Sequence, residues 1–138
     1  MKREHVLALV RTRMDQAHET LDDARKLLGM GGSPRSIINR AYYAAFYGAL
    51  ALMQTIGQAP SKHAGVISLF DREFYGRGLF SKEQSRSFHE LFELRQFSDY
   101  RAVEPATTQQ AQDALEKAQA FVSAVEASMI KAGYLSKT

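Results

Sequence analysis

"RAYYAAFYGALAL", residues 40 to 52, sets four aromatic rings and six Ala or Gly residues behind one arginine. Wound as a helix, Ala41, Ala44, Ala45, Gly48 and Ala51 fall together at steps of three and four, which makes a smooth stripe. Side chains this small let neighbouring helices approach closely. Tyr42, Phe46 and Met53 flank the stripe on one side, and Tyr43, Tyr47 and Leu50 on the other. The pattern predicts a helix at the centre of a bundle, with rings filling what the stripe leaves open and tyrosine hydroxyls reaching water or a polar partner. Arg40 stands apart. In so apolar a helix it must reach water along its stem or find a carboxylate, because burial without a partner is costly.

Outward from this helix the chain keeps helical spacing. Val6, Leu7, Val10, Met14, Ala17, Leu21, Ala24, Leu27 and Leu28 define one face of a long amphipathic helix over about residues 3 to 28. "GMGGSP", residues 29 to 34, combines a glycine stop, Ser33 as N-cap and Pro34 at the first helical position, so the second helix runs from Pro34 to about Ile56. Pro60 and Ser61 open a third helix through about Phe74, followed by the glycine-punctuated loop "YGRGLF". Ser81 and Gln84 form a capping box for a fourth helix that carries Phe88, Leu91, Phe92, Leu94 and Phe97 toward Tyr100. After "RAVEPATT", Thr107 or Thr108 caps a fifth helix from Ala111 to about Ala132, and the tail "GYLSKT" is expected to fray. No segment alternates as a strand would. The reading is all-α: one domain over residues 1–138, an up-and-down antiparallel bundle of about five helices.

Composition narrows the chemistry. The 138 residues are 45% hydrophobic and 24% charged, an ordinary globular balance, and no apolar run is long enough to span a membrane. "VLALV" is too short, and too soon followed by Arg11 and Arg13, to be a secretory signal. With no cysteine there are no disulfides, thiolate metal sites or thiol nucleophiles, which suits a reducing cytoplasm. The formal charge of +3 is too small to imply a nucleic-acid binder by itself. His89 with Glu90 and Glu93 lacks the second ligand cluster a metal site needs, so neither metal nor cofactor is expected.

Function therefore rests on Arg, His, Tyr and carboxylates. "ELFELRQFSDYR", residues 90 to 101, sets Arg95 and Asp99 four apart on one helical face. Tyr100 falls about 140° further round from Arg95 on a regular helix. An exposed intrahelical ion pair of this kind contributes only about 0.3–0.5 kcal/mol. Asp99 is also a candidate partner for Arg40. Lys62 and His63 open the third helix, where free backbone N–H groups favour an anion; the plainer reading is a solvated helix start.

The order "RAYYAAFYGALALM", "SKHAGVISLF", glycine loop, "LFELRQFSDY" resembles the HEPN domains of bacteria and archaea, especially the small stand-alone kind, over about residues 5 to 130. The resemblance implies a helical bundle, usually a homodimer, often encoded beside a minimal nucleotidyltransferase in a toxin–antitoxin pair. Many such domains are ribonucleases that need no metal. Their signature is an arginine followed after four to six residues by a histidine, often with a tyrosine two residues beyond. Arg95 matches the arginine, but Tyr100 stands in the histidine's place and Ala102 in the tyrosine's. Tyrosine, with a pKa near 10, is a poor base at neutral pH. Arg11 and Arg13 each stand at a permitted spacing from His18. With eleven arginines and four histidines, however, about one such match arises by chance, and His18 reads as the edge of an amphipathic face.

Three functions follow. The first is a HEPN-type binding and regulatory domain, partner of a nucleotidyltransferase, holding a nucleotide or RNA in a groove edged by Arg40, Tyr43, Lys62, His63, Arg95, Asp99 and Tyr100, with Tyr100 a candidate acceptor of a transferred nucleotide. The alternative is a metal-independent ribonuclease in which Arg95 stabilises the phosphate and His63 supplies the missing imidazole beside Tyr100. The third is a structural module whose aromatic helix is an interaction surface.

Overall fold

A computed structural model of the chain describes residues 2–101 and 103–137, position 101 by its backbone alone. Ala102, at the tyrosine position of the family pattern, lies outside the described residues. The elements are α1 (Arg3–Gly29), α2 (Pro34–Gln54), α3 (His63–Phe70), α4 (Lys82–Gln96) and α5 (Thr108–Lys131). Two wide π-helical turns, Asp71–Tyr75 and Phe97–Arg101, prolong α3 and α4. The described residues form an up-and-down antiparallel helical bundle with no strand.

The helix starts follow from local chemistry. Ser33 Oγ accepts from the Ser36 N–H at 3.2 Å ahead of Pro34. Ser81 with Gln84, and Thr107 with Gln110, close reciprocal capping boxes. α3 begins two residues later than Pro60 and Ser61 predict, with Lys62 at the N-cap.

α2 is the central helix, against which α1 and α5 pack. Ala41, Ala44, Ala45, Ala49 and Ala51 are fully buried. A Cβ added at Gly48 would lie 3.7 Å from Val125, so the stripe brings α5 close to the α2 backbone. A second centre is aromatic: Phe70, Phe80, Phe88 and Phe121 interlock, with Phe88 stacked on Phe121 at 4.8 Å between ring centres. Phe80 reaches it from the glycine loop. That loop begins at Gly76, where any Cβ would lie 2.8 Å from the Arg72 carbonyl oxygen at the close of the first wide turn.

Of the tail expected to fray, residues 133–135 are tied to the bundle. Gly133, at φ +85°, ends α5 in a left-handed cap, and the Tyr134 N–H donates to the Met129 carbonyl at 2.8 Å. Arg3 donates to the Gly133 carbonyl at 3.1 Å and lies over the Tyr134 ring. These bonds and the packing of Tyr134 and Leu135 on the core hold the segment down.

Candidate functional site

α2, α3, α4 and the second wide turn meet around Arg95. Its Nε lies 3.1 Å from Asp99 Oδ2, and the two side chains are only 12% and 13% exposed. The pair expected to be solvated is thus largely withdrawn from water. The contact misses hydrogen-bond alignment, leaving the buried Nε without a hydrogen-bond acceptor. Nη2 donates to the hydroxyls of Tyr43 at 3.1 Å and Tyr100 at 3.2 Å. The guanidinium carbon stands 5.3 Å from the ring centres of both tyrosines and 5.6 Å from that of Tyr42. A weakly hydrated, planar cation tolerates such a site because the ring faces replace part of its solvation.

The wide turn explains why Tyr100 is here. On a regular helix the fifth residue after Arg95 points elsewhere. Winding Phe97–Arg101 at the π pitch brings residues four and five along, Asp99 and Tyr100, to the same guanidinium. No glycine, proline or charge pattern in "FSDYR" marks this turn; the only signal in the sequence is the family spacing itself.

Arg40 does not pair with Asp99. Its Nε and Nη2 donate to Asn39 Oδ1 at 3.1 and 2.7 Å, and its guanidinium carbon stands 5.3 Å from the Tyr43 ring centre. Asp99 is already occupied. Arg95 and Asn39 Nδ2 (3.3 Å) engage one oxygen, and Arg35 Nε lies 3.5 Å from the other. Asn39, which sequence reading passed over, is the spacer between Arg40 and the carboxylate. Arg35, Asn39, Arg40 and Asp99 also line a cleft of about 480 Å³, together with Leu27, Ser36 and Tyr100.

His63 lies on the other side of the tyrosines. Its ring packs 4.4 Å from Phe46 and 5.6 Å from Tyr43, and its Nδ1 is 3.0 Å from the Tyr42 hydroxyl. Tyr42 is fully buried, and burial pushes its phenol well above the usual tyrosine range, so the hydroxyl keeps its proton. Among the described residues His63 is the hydroxyl's hydrogen-bond partner. The tautomer that satisfies the Tyr42 hydroxyl hydrogen has Tyr42 donating to Nδ1 and the neutral imidazole's hydrogen on Nε2. Burial first, and the Arg95 charge second, hold the His63 pKa below its ordinary 6.5. The unfolded chain then binds the proton more readily, so stability falls as pH drops through 6.5 toward the folded value and is untouched above it. Urea denaturation from about pH 7.5 to about pH 5.5 should cost the wild type more stability than His63→Gln. Equal losses would mean that folding leaves His63 unperturbed.

The remaining candidates lie elsewhere. Lys62 is exposed at the α3 N-cap, with no side-chain capping bond. His18 meets Glu126 at 2.7 Å and ties α1 to α5. His89 bonds Asp71, which also accepts from Ser85 Oγ at 2.6 Å, anchoring the first wide turn to α4. Among the described residues no three His, Asp or Glu converge as metal ligands, and no helix is long and apolar enough to cross a membrane.

Comparison with known proteins gives the chain its relatives. The HEPN domain family matches residues 10–128. A Thermotoga maritima protein named UPF0332 protein is 39% identical over 111 residues, covering 80% of this chain and 83% of that one. "Putative toxin MJ0605" of Methanocaldococcus jannaschii is 34% identical over 124 residues, 90% of this chain and 88% of its own. The crystal structure of TT1696 from Thermus thermophilus shares the fold at a TM-score of 0.72 and 21% identity, over 86% of this chain and 97% of that one.

Proposed function

The chain belongs to the HEPN domain family, and from that premise we propose that it is a binding and regulatory module of the toxin–antitoxin kind. It acts as a homodimer, holds a phosphate of RNA or of a nucleotide at the Arg95 cluster, and pairs with a minimal nucleotidyltransferase. Two relatives bear names describing them as putative toxins, which supports a role of this type. The observation that carries the reading is the charge balance: two guanidiniums, of Arg95 and Arg35, share the one carboxylate of Asp99, at 3.1 and 3.5 Å. A phosphate supplies the missing negative charge and matches guanidinium geometry.

Binding is favoured over cleavage by the Tyr42–His63 hydrogen bond. An imidazole with its hydrogen on Nε2 and its Nδ1 taken has no free lone pair to accept a proton from a 2′-hydroxyl. It serves as a donor instead. Tyr100, 70% exposed and hydrogen-bonded to Arg95, has the accessibility an acceptor of a transferred nucleotide needs. Its phenolic oxygen would attack the α-phosphate of ATP, forming the O–P bond as pyrophosphate leaves and the phenolic proton passes to solvent.

One set of samples tests both parts. In EDTA, anisotropy of a fluorescein-labelled single-stranded RNA should rise with protein while a denaturing gel shows the RNA intact. Cleaved RNA would move the assignment to ribonuclease, and no binding would remove the phosphate role. After addition of the partner nucleotidyltransferase, Mg²⁺ and ATP, mass spectrometry should place the adduct on Tyr100; an adduct confined to another residue removes Tyr100 as acceptor.

A further inference from the structure

Arg40 is a half-buried cation served by a neutral amide and a ring face. Among the described residues no carboxylate stands within ion-pair distance of it. Asn39 fixes this state, for its oxygen takes two Arg40 donors while its nitrogen turns to Asp99. An aspartate at position 39 would neutralise Arg40; an asparagine orients the guanidinium and leaves its charge to the cleft. Beside it, Ser36 Oγ accepts from Ser33 Oγ at 2.7 Å, so its own hydrogen is available to donate. Arg35 is 68% exposed, and at 3.5 Å its hold on Asp99 is loose. Tyr100 closes the far wall with an exposed ring.

The cleft adjoins the Arg95 cluster through Asp99 and Tyr100. Arg95 does not line it, and the Tyr43 ring has one guanidinium carbon at 5.3 Å from Arg40 and another at 5.3 Å from Arg95. Two cationic positions share the half-buried Tyr43 ring, and the exposed Tyr100 ring lines the Arg40 cleft while its centre lies 5.3 Å from the Arg95 guanidinium carbon. Consecutive phosphates of a single strand, with a base stacked on tyrosine between them, match this alternation, whereas a mononucleotide fills one position only.

We propose that Arg35, Ser36 and Arg40 form a second phosphate subsite beside the Arg95 cluster, so that the ligand is a single-stranded oligonucleotide rather than a mononucleotide. The inference rests on the reading that Arg95 takes a phosphate, and the test separates the two. Anisotropy with a short labelled single-stranded RNA is measured across a KCl series for wild type, Arg40→Gln, Arg35→Gln/Arg40→Gln and Arg95→Gln, with AMP as unlabelled competitor. Arg40→Gln should weaken RNA binding about tenfold, the worth of one charge-assisted contact. It should also lower the slope of log affinity against log salt by about 0.7, the value for one phosphate contact on a single strand. The AMP competition constant should be that of the wild type. If the double variant binds RNA with wild-type affinity and salt slope while Arg95→Gln does not bind, the second subsite is overturned and the Arg95 reading stands. A wild type that binds AMP as tightly as the RNA also overturns the subsite, and one that binds neither overturns both. Arg35 and Arg40 lie at the cleft surface, and unchanged melting temperatures in their variants keep the comparison one of binding.

Discussion

Arg95→Gln is expected to weaken RNA binding about a hundredfold, the scale on which losing a charged, partly desolvated anchor reads out. Glutamine can still donate to one tyrosine hydroxyl but carries no charge for a phosphate. The same substitution costs the fold about 2 kcal/mol, less than the 3–5 kcal/mol of a fully buried pair, because Asp99 keeps Asn39 and Arg35. The two effects separate in Arg95→Gln/Asp99→Asn. Removing the stranded carboxylate should recover most of the stability in urea denaturation, while anisotropy still shows binding lost. If the double variant binds RNA like the wild type, Arg95 is a structural cation and nothing more.

Phe88→Ala should destabilise the chain by about 3–5 kcal/mol. Phe88 is fully buried, stacks on Phe121 at 4.8 Å and meets the edge of Phe70 at 5.5 Å. Its ring thereby fastens α4 to both α3 and α5. No neighbour collapses easily into the gap, since Phe70, Phe80 and Phe121 already hold one another. The control is Phe97→Ala on the same stretch of chain. That ring is 50% exposed, and its loss should stay within about 0.5 kcal/mol. Equal midpoints for the two variants in chemical denaturation would show that the aromatic cluster is not a core.

What the sequence made legible, and what it did not, divides along a physical line. The Ala and Gly stripe of α2, the caps at Ser33, Ser81 and Thr107 and the apolar faces of α1 and α5 are local patterns, and each appears where its spacing puts it. Arg95 with Asp99 was equally readable, being four apart on one helix. The choice of partners among helices was not. Three side chains from two helices converge on Asp99, and Arg40 loses it to Arg35 and Asn39 for reasons no linear pattern records. The Tyr42–His63 bond is of the same kind, joining residues whose nearness depends on how α3 lies across α2. The docking of Tyr134 depends on Arg3, at the opposite end of the chain.

The wide turn after α4 converts a count into a chemical setting. Because the backbone there returns the fifth residue to the guanidinium, position 100 behaves as a socket, and the side chain it holds selects what Arg95 can do. With a phenol installed, the pair is a cation and a hydroxyl, suited to gripping or accepting a phosphate. With an imidazole in the same socket, and no helix displaced, it would be a cation and a base, the pair that general acid–base chemistry at a phosphate calls for.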